Sequence, residues 1–445
     1  MSARTPVRVA VIGAGLAGAA FALRLAQRAG TGAEITLFER SAWPRAKVCG
    51  CCLNEGAVRC LEQLGFGQWC RDAGVVVDRV RLCSATGRAT IAKRPGLAIL
   101  RSDLDEMLVS EAVSLGVRFE PRTSAAIVED DDGGGDRGGM KAGARSARDG
   151  DRSPRSLRLR TMAGDRVINA DVVIAADGLG GASCGADPAF AEHVDADGRF
   201  GVGCVIDAAA IEPGRSPGAG EIAMYVAPHA YVGLVRLRDG RVNLAAAVDV
   251  GWARDLGGPA AAVAETLRIA GGPVISPAAL QLRGTSRLTR SRRRVASRGV
   301  LLLGDSAGYV EPFTGEGMAW ALAGAMQLAE LVGSAIGAGE RGTLWRDELG
   351  LAWQNWHQSH IRSRQRSCAM IKPLLRSPLV TRASVWSLAH VPLVSPTVSR
   401  LARHLERPYF GATGATADPA GAPAGAAPRR NDDIRLVTPA TRVTT

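Results

Sequence analysis

Lysine and aromatic residues are both scarce in this 445-residue chain. Only four of its 55 basic residues are lysine (Lys47, Lys93, Lys141 and Lys372), and aromatics make up 4% of the sequence. The net charge of +12 is therefore an arginine surplus in a chain rich in alanine and glycine. It lacks the interleaved basic and aromatic side chains of a nucleic-acid-binding surface, so no nucleic-acid partner is expected. The densest basic run, Arg292-Arg293-Arg294, falls between two strand-like segments and reads as a solvated turn. Histidine is also sparse: there are six, the first at His193, and the cysteines near Cys49 do not repeat their spacing at Cys60 and Cys70. That is too weak a ligand set for zinc, and no metal is expected. Long apolar runs are missing as well. Residues 9–23 are interrupted by Gly13, Gly15 and Gly18 and fall short of the ~20 residues of a membrane helix. An odd count of nine cysteines in a long chain excludes a disulfide framework and points to a reducing compartment, by default the cytoplasm.

What the chain does have is an apolar fraction of 46% over a length sufficient for one large or two ordinary domains. Residues 7–12 read as a buried strand, 16–29 as a helix ending near Gly30, and 34–39 as a second strand: a β-α-β unit. Residues 103–115 carry Leu104, Leu108, Val109 and Ala112 at helical spacing, and Gly116 stops that helix before a strand at 117–119. Residues 130–156 contain almost no large apolar side chain and read as a flexible insertion, because they cannot offset their own ordering entropy. Strands resume at 157–160 and 170–176. Residues 199–250 are strand-rich, with a hairpin turn at Asp239-Gly240. Residues 300–303 form another buried strand, 315–336 a helix, 344–407 are mostly helical, and the stretch from 411 onward reads as a disordered tail. The expected organisation is α/β: a Rossmann-type domain (1–198 and 291–340) with an inserted β-rich domain (199–290), a helical region (341–410) and the tail (411–445).

The spacing that interrupts residues 9–23 is Gly13-Ala-Gly15-Leu-Ala-Gly18, placed where the first strand turns into the first helix. Gly13 permits the tight turn, Gly15 lets backbone approach a pyrophosphate, and Gly18 lets helix pack on strand. The phosphates would meet the helix N-terminus and its unpaired N–H groups. Glu39 ends the second strand, where an acid accepts ribose hydroxyls, and Arg40 follows it. Two further motifs follow strands: Ala176-Asp177-Gly178-Leu-Gly-Gly-Ala-Ser183 and Leu303-Gly304-Asp305-Ser306-Ala307-Gly308. Arg101, before the helix at Asp103, adds a cation.

With these three motifs in this order, residues 5–335 resemble the flavoprotein hydroxylase superfamily, the group A FAD-dependent monooxygenases and geranylgeranyl reductases, which also includes flavin halogenases. The resemblance implies an FAD-dependent oxidoreductase. FAD would be held by Gly304 and Asp305, with Asp177 and Gly178 associated with both FAD and NAD(P)H, the expected electron donor. It also implies a second, β-rich substrate domain. Arg45-Ala-Lys47-Val-Cys49-Gly50 resembles the Lys-x-Cys-Gly stretch of the reductase branch. Glu311-Pro312-Phe313-Thr314-Gly315-Glu316-Gly317 resembles that branch's Pro-x-Thr-Gly-Glu-Gly loop. There Gly315 and Gly317 suit close approach to the flavin ring, and Cys49 and Glu316 become the candidate catalytic residues. Glu316 also reads as a capping residue of the helix that follows. For Cys49-Gly50-Cys51-Cys52, packing beside the cofactor, lining of the substrate pocket and a metal or dithiol pair all remain open. The sequence departs from the branch at Ala230-Tyr231-Val-Gly233-Leu-Val235-Arg236, which keeps the tyrosine of Gly-Tyr-x-Trp-x-Phe-Pro but not its tryptophan or proline. The halogenase Trp-x-Trp-x-Ile-Pro motif is absent.

The expected reaction is reduction of an alkene in a hydrophobic small molecule, with hydroxylation by a monooxygenase as the alternative. A non-catalytic prenyl carrier on this fold is a distant third, because such a carrier would be expected to lose the cofactor motifs that stand here. The Arg and Trp content of the C-terminal helices leaves contact with a membrane surface open, since no clear amphipathic face marks it.

Overall fold

The computed structural model describes residues 5–128, 154–184, 187–212, 214–311, 313, 315–338, 347–369, 383 and 387, all within a unit of Met1–Arg407. The expected tail, most of the helical stretch beyond 369 and nearly all of the expected insertion lie outside these residues.

The strand Val7–Ile12 is buried from Val9 to Ile12, as its unbroken apolar pattern requires of a strand covered on both faces. It pairs in parallel with Ala33–Glu39 on one side and Val172–Ala175 on the other. The full six-stranded order is Ala296–Ser297, Val300–Leu302, Val172–Ala175, Val7–Ile12, Ala33–Glu39, Arg118–Pro121, and only the first pair is antiparallel. Parallel pairing has a direct consequence for function. Gly13, Glu39, Asp177 and Gly304-Asp305 each stand at the C-terminal end of a strand, so one sheet edge gathers motifs that lie nearly 300 residues apart.

The helix Leu16–Ala29 ends at Gly30 (φ 50°) and packs on Gly317–Gly337. Arg24 and Arg28 both reach Glu330 across that contact, at 2.9 and 2.8 Å. By length and composition alone Gly317–Gly337 could cross a membrane; here it is a core helix, with Trp320, Leu322, Met326 and Leu328 buried.

The second layer is an eight-stranded sheet in the order Arg283–Arg287, Phe200–Ile206, Val242–Val248, Ala230–Arg236, Glu221–Ala227, Val75–Ser84, Gly87–Ala98, Cys52–Leu53. Its hairpin turns at Asp239-Gly240, with Gly240 at φ 85°. Three of these strands come from residues 52–98, outside the expected 199–290 domain. Glu221–Ala227 pairs in parallel with Val75–Ser84, a non-local pairing that no local pattern announces. The expected insertion is also shorter at its end: Arg155 is buried and opens the strand Arg155–Thr161, which pairs with Ser124–Ile127 and Gly164–Ala170.

One face of the large sheet carries Val232, Leu234, Leu244 and Ala246 against the helix Pro259–Ile269. The other face is the wall of a cleft. Beyond the six-stranded sheet, Asp347–His357 buries Trp353, 1% exposed, whose indole donates to Leu302 O at 3.1 Å. Trp353→Ala is expected to lower the free energy of urea unfolding by about 3–5 kcal/mol. Trp356→Ala, at a half-buried position one turn on, should cost clearly less in the same measurement.

Candidate active site

A single cleft of about 690 Å³ runs from the C-terminal edge of the parallel sheet to the free face of the large sheet. At the sheet edge, Gly13 takes φ 102°, and a Cβ there would lie 2.5 Å from Ala176 O. A Cβ on Gly18 would lie 2.0 Å from Gly13 O, so any side chain at 18 would push helix from strand. Gly18 therefore serves the packing and does not line the cleft.

Gly15 is the N-cap of the helix Leu16–Ala29, and no side chain caps it. A Cβ on Gly15 would sit 3.2 Å from Arg45 Nη2 and 3.9 Å from both Arg101 Nη2 and Lys47 Nζ. Three cations thus converge on a helix N-terminus whose first N–H groups are unpaired by any side chain, which is what a pyrophosphate needs. These residues fit the phosphates of FAD.

The cations are held by carboxylates. Asp105, 1% exposed, accepts both Nε and Nη2 of Arg101 at 3.0 and 2.9 Å and lies 3.6 Å from Arg45 Nη1. Glu39 accepts Arg45 Nε at 2.8 Å, Ser41 N at 3.0 Å and Ala14 N at 3.3 Å. Burial pushes the Glu39 carboxyl up, but the Arg45 charge and these hydrogen bonds outweigh it, and its pKa falls below the usual carboxylate range. Arg40 is exposed at the same end of the cleft. Lys47 Nζ lies 3.6 Å from Asp305 Oδ2 and 3.4 Å from where a Cβ on Gly178 would sit. Asp177 accepts Ser183 N through Oδ2 at 3.0 Å, while its buried Oδ1 has no partner, an acceptor open to a bound group.

Of the remaining expected site residues, Gly315 (φ 72°) and Gly317 line the cleft. Gly304 does not. A Cβ there would meet Ala17 Cβ at 2.8 Å, so Gly304 allows the Asp305 turn to approach the first helix. Glu316 is the N-cap of Gly317–Gly337, makes no side-chain cap bond, and is not among the cleft-lining residues.

Cys49 lines the cleft. Its Sγ accepts Cys51 N at 3.4 Å and lies 3.7 Å from Met318 Sδ. A hydrogen bond from the Cys51 thiol, opposed by burial and reinforced by the Arg101 charge, brings the Cys49 pKa down to about 6. Its neighbours go the other way: burial pushes the Cys52 thiol up to about 12. Cys51 Sγ also lies 3.4 Å from Asn243 Oδ1, and Cys52 Sγ lies 3.1 Å from Gly50 O. Asn243 Nδ2 in turn donates to Cys49 O at 3.0 Å, tying the cysteine loop to the large sheet.

Arg45, Asp105, Asn243 and a buried pair at the far side of the cleft join the site without a motif that assigns them there. Arg199, 1% exposed, donates to Glu311 Oε1 and Asp249 Oδ1, both at 3.1 Å, and to Pro228 O at 2.9 Å. Arg45 lies two residues from Lys47 and was visible as a second cation in that stretch. Arg199 and Glu311 are 112 residues apart, and nothing local marks them as partners.

These values make Cys49 the reactive thiol of the cluster. Its alkylation by iodoacetamide, followed by peptide mass analysis, should rise with pH through a midpoint near 6, with Cys52 unmodified across that range. Arg101→Met removes a charge that favours the thiolate and should move the midpoint upward.

A family model described as FAD binding domain matches residues 6–344. The menaquinone reductase of Mycobacterium tuberculosis (strain ATCC 25618 / H37Rv) is 32% identical over 138 residues, covering 29% of this chain and 33% of that protein. The chain thus spans about a third of the length of the curated relatives it matches. Among solved structures, a flavin-dependent brominase matches with a TM-score of 0.68 at 14% identity, covering 90% of this chain and 94% of that one. The p-nitrophenol 4-monooxygenase of Pseudomonas putida DLL-E4 matches with a TM-score of 0.62 at 16% identity, covering 91% and 99%. At such identities the likeness is one of fold. With residues 6–344 matched, well over half its length, the chain belongs to the FAD binding domain family.

Proposed function

We propose that the protein is a reductase that takes electrons from NAD(P)H and saturates a carbon–carbon double bond in a hydrophobic small molecule. The observation that carries this reading is the continuity of the cleft: the cation-ringed helix terminus at Gly15 opens onto an apolar wall of Val80, Ile222, Met224 and Val235. A dinucleotide at the first end and an apolar substrate at the second would share one cleft. The Lys47-Val-Cys49-Gly50 stretch and the similarity to a protein named menaquinone reductase support reduction.

FAD, when bound, supplies the hydride chemistry; the chain's own residues position and screen. Arg45, Lys47 and Arg101 would hold the pyrophosphate, Glu39 the adenosine ribose and Asp305 the ribityl chain. Cys49 is a thiolate at neutral pH, so it offers negative charge beside Arg101 and not the proton that saturation requires. All nine cysteines are unpaired, in keeping with a cytoplasmic placement. The second reading, hydroxylation of a small organic substrate, is favoured by Gly233, which stands where the reductase motif carries tryptophan.

The purified protein is expected to release FAD and no FMN on denaturation, and Asp305→Ala to retain less. Photoreduced enzyme held under strict anaerobiosis should be reoxidised by a polyprenyl alcohol, with product mass rising by two hydrogens per turnover. Flavin that stays reduced until oxygen is admitted, with a product carrying one added oxygen atom, would establish the hydroxylase instead.

A further inference from the structure

Cys49, Cys51 and Cys52 are near neighbours in the chain, yet their surroundings differ. Cys49 and Cys52 line the cleft, whereas Cys51 is 1% exposed and is not among the cleft-lining residues. Cys51 takes φ 58°, a left-handed conformation that a residue with a Cβ adopts only at a cost. That turn folds the Cys51 amide back onto Cys49, whose Sγ accepts it at 3.4 Å. It also puts the Cys51 thiol where it donates to Cys49 Sγ, with Asn243 Oδ1 as its other neighbour at 3.4 Å. Cys52 begins the strand Cys52–Leu53 and turns its thiol to Gly50 O at 3.1 Å. The spacing in the sequence suggests Cys49 and Cys52 as the dithiol; the fold brings Cys49 and Cys51 together instead.

A thiol pair oxidises in two steps that make different demands on its members. The first sulfur must be a thiolate that the oxidant can reach; the second must be a thiol beside it. Cys49 opens on the cleft and is ionised at neutral pH, because the Cys51 hydrogen bond and then the Arg101 charge overcome burial and bring its pKa down to about 6. Cys51 is enclosed, and its hydrogen bond to Cys49 together with burial holds its pKa well above the ordinary thiol value, so it keeps its proton. The other sulfur beside Cys49 is Met318 Sδ at 3.7 Å, a thioether that cannot close a disulfide.

We infer that Cys49 and Cys51 form a reversible peroxide-sensing pair, with Cys49 the sulfur that meets hydrogen peroxide in the cleft and Cys51 the sulfur that resolves it. The Cys49 thiolate attacks one peroxide oxygen: an S–O bond forms, the O–O bond breaks, hydroxide leaves, and Cys49 becomes a sulfenic acid. The Cys51 sulfur then attacks Cys49 Sγ. An S–S bond forms, the S–O bond breaks, and the departing hydroxide takes the Cys51 proton and leaves as water. Two electrons have passed from the two sulfurs to peroxide, and two equivalents of a small thiol return them. Hydrogen peroxide is also the product when O₂ takes two electrons from a reduced flavin, so a cleft that holds FAD can form the oxidant within reach of Cys49. The disulfide removes the anion beside Arg101 and draws Cys51 Sγ from the buried Asn243 Oδ1, loosening one of the two bonds between the cysteine loop and the large sheet.

The test uses the FAD-loaded protein, reduced with dithiothreitol, desalted and exposed to hydrogen peroxide at neutral pH. Unfolding in N-ethylmaleimide then labels every remaining thiol, and trypsin releases residues 48–59, which carry Cys49, Cys51 and Cys52 and no other cysteine. This peptide is expected to fall from three labels to one, on Cys52, with two hydrogens lost, and to recover all three when dithiothreitol follows the peroxide. Cys51→Ser should form no disulfide and leave Cys49 as a sulfenic acid that dimedone traps, while Cys52→Ser should form the disulfide as the parent does. FAD content checks that each variant keeps its fold; should Cys51→Ser lose FAD, the label positions in the parent still decide. Three labels surviving peroxide, a surviving label on Cys51 in place of Cys52, or a loss that dithiothreitol does not reverse overturns the pair.

Discussion

Asp105 is the constraint on which the cofactor end of the molecule depends. Three cations within 4 Å of one point above Gly15 would repel one another if nothing opposed them. The buried Asp105 carboxylate takes Arg101 in a two-bond grip and lies beside Arg45, and Glu39 takes the other side of Arg45. The result is a line of alternating charge: Glu39, Arg45, Asp105, Arg101 and the thiolate of Cys49. Each member is held by the next, and loss of any one leaves a neighbour buried without its counter-charge, which is the costly case for buried ion pairs. The low pKa of Cys49 owes most to the Cys51 hydrogen bond, and the Arg101 charge at the end of this line reinforces it. Without such help burial keeps Cys52 and Cys60 from ionising.

A second buried pair joins the large sheet to the segment that carries Gly315 and Gly317. Arg199 opens the strand run at Phe200, and Glu311 begins the Gly315–Gly317 loop. With both side chains almost fully enclosed, their approach fixes where the loop sits relative to the sheet. Buried pairs of this kind contribute more to a defined arrangement than to net stability. Asn243 does a similar service across the cleft, accepting from Cys51 and donating to the Cys49 carbonyl. The cleft therefore has its two walls tied at two points, one ionic and one neutral.

What was legible in the sequence was whatever depends on local geometry. Gly13 and Gly18 are demanded by a turn and a contact within a few residues of themselves, and Glu39 by the length of one β-α-β unit, so their spacing could be read directly. The helix at Arg101–Ser114 and the hairpin at Asp239-Gly240 were legible for the same reason. The parallel pairing of Glu221–Ala227 with Val75–Ser84 was not, because it depends on which strand edge is left free once the sheet assembles. Asp105 looks like an ordinary polar residue in a helix, and only the approach of Arg45 from another segment gives it a task. Gly304 was legible as functional but for a different reason from the real one: its missing side chain makes room for Ala17, and the turn so formed delivers Asp305. Glu316 carried a motif's promise, yet the neighbouring glycines face the cleft and it does not.

The neighbours in fold include proteins named as a brominase and a monooxygenase, while the curated relative is named as a reductase, so the architecture alone does not select a chemistry. Its construction shows how that variety is possible. The cofactor end is rigidly specified, since glycines without room for a side chain and charges without spare partners tolerate little change. The sheet wall is specified on one face only. Val232, Leu234, Leu244 and Ala246 fill the core against Pro259–Ile269, and their alternates, Tyr231, Gly233, Ala245 and Ala247, line the cleft. Strand alternation thus separates stability from specificity residue by residue. A side chain at Gly233 would press on Met224 in the neighbouring strand, whereas a change at Leu234 would disturb the core beneath the sheet. In this chain the cleft face carries glycine and alanine around one tyrosine, at a distance from the charges gathered above Gly15.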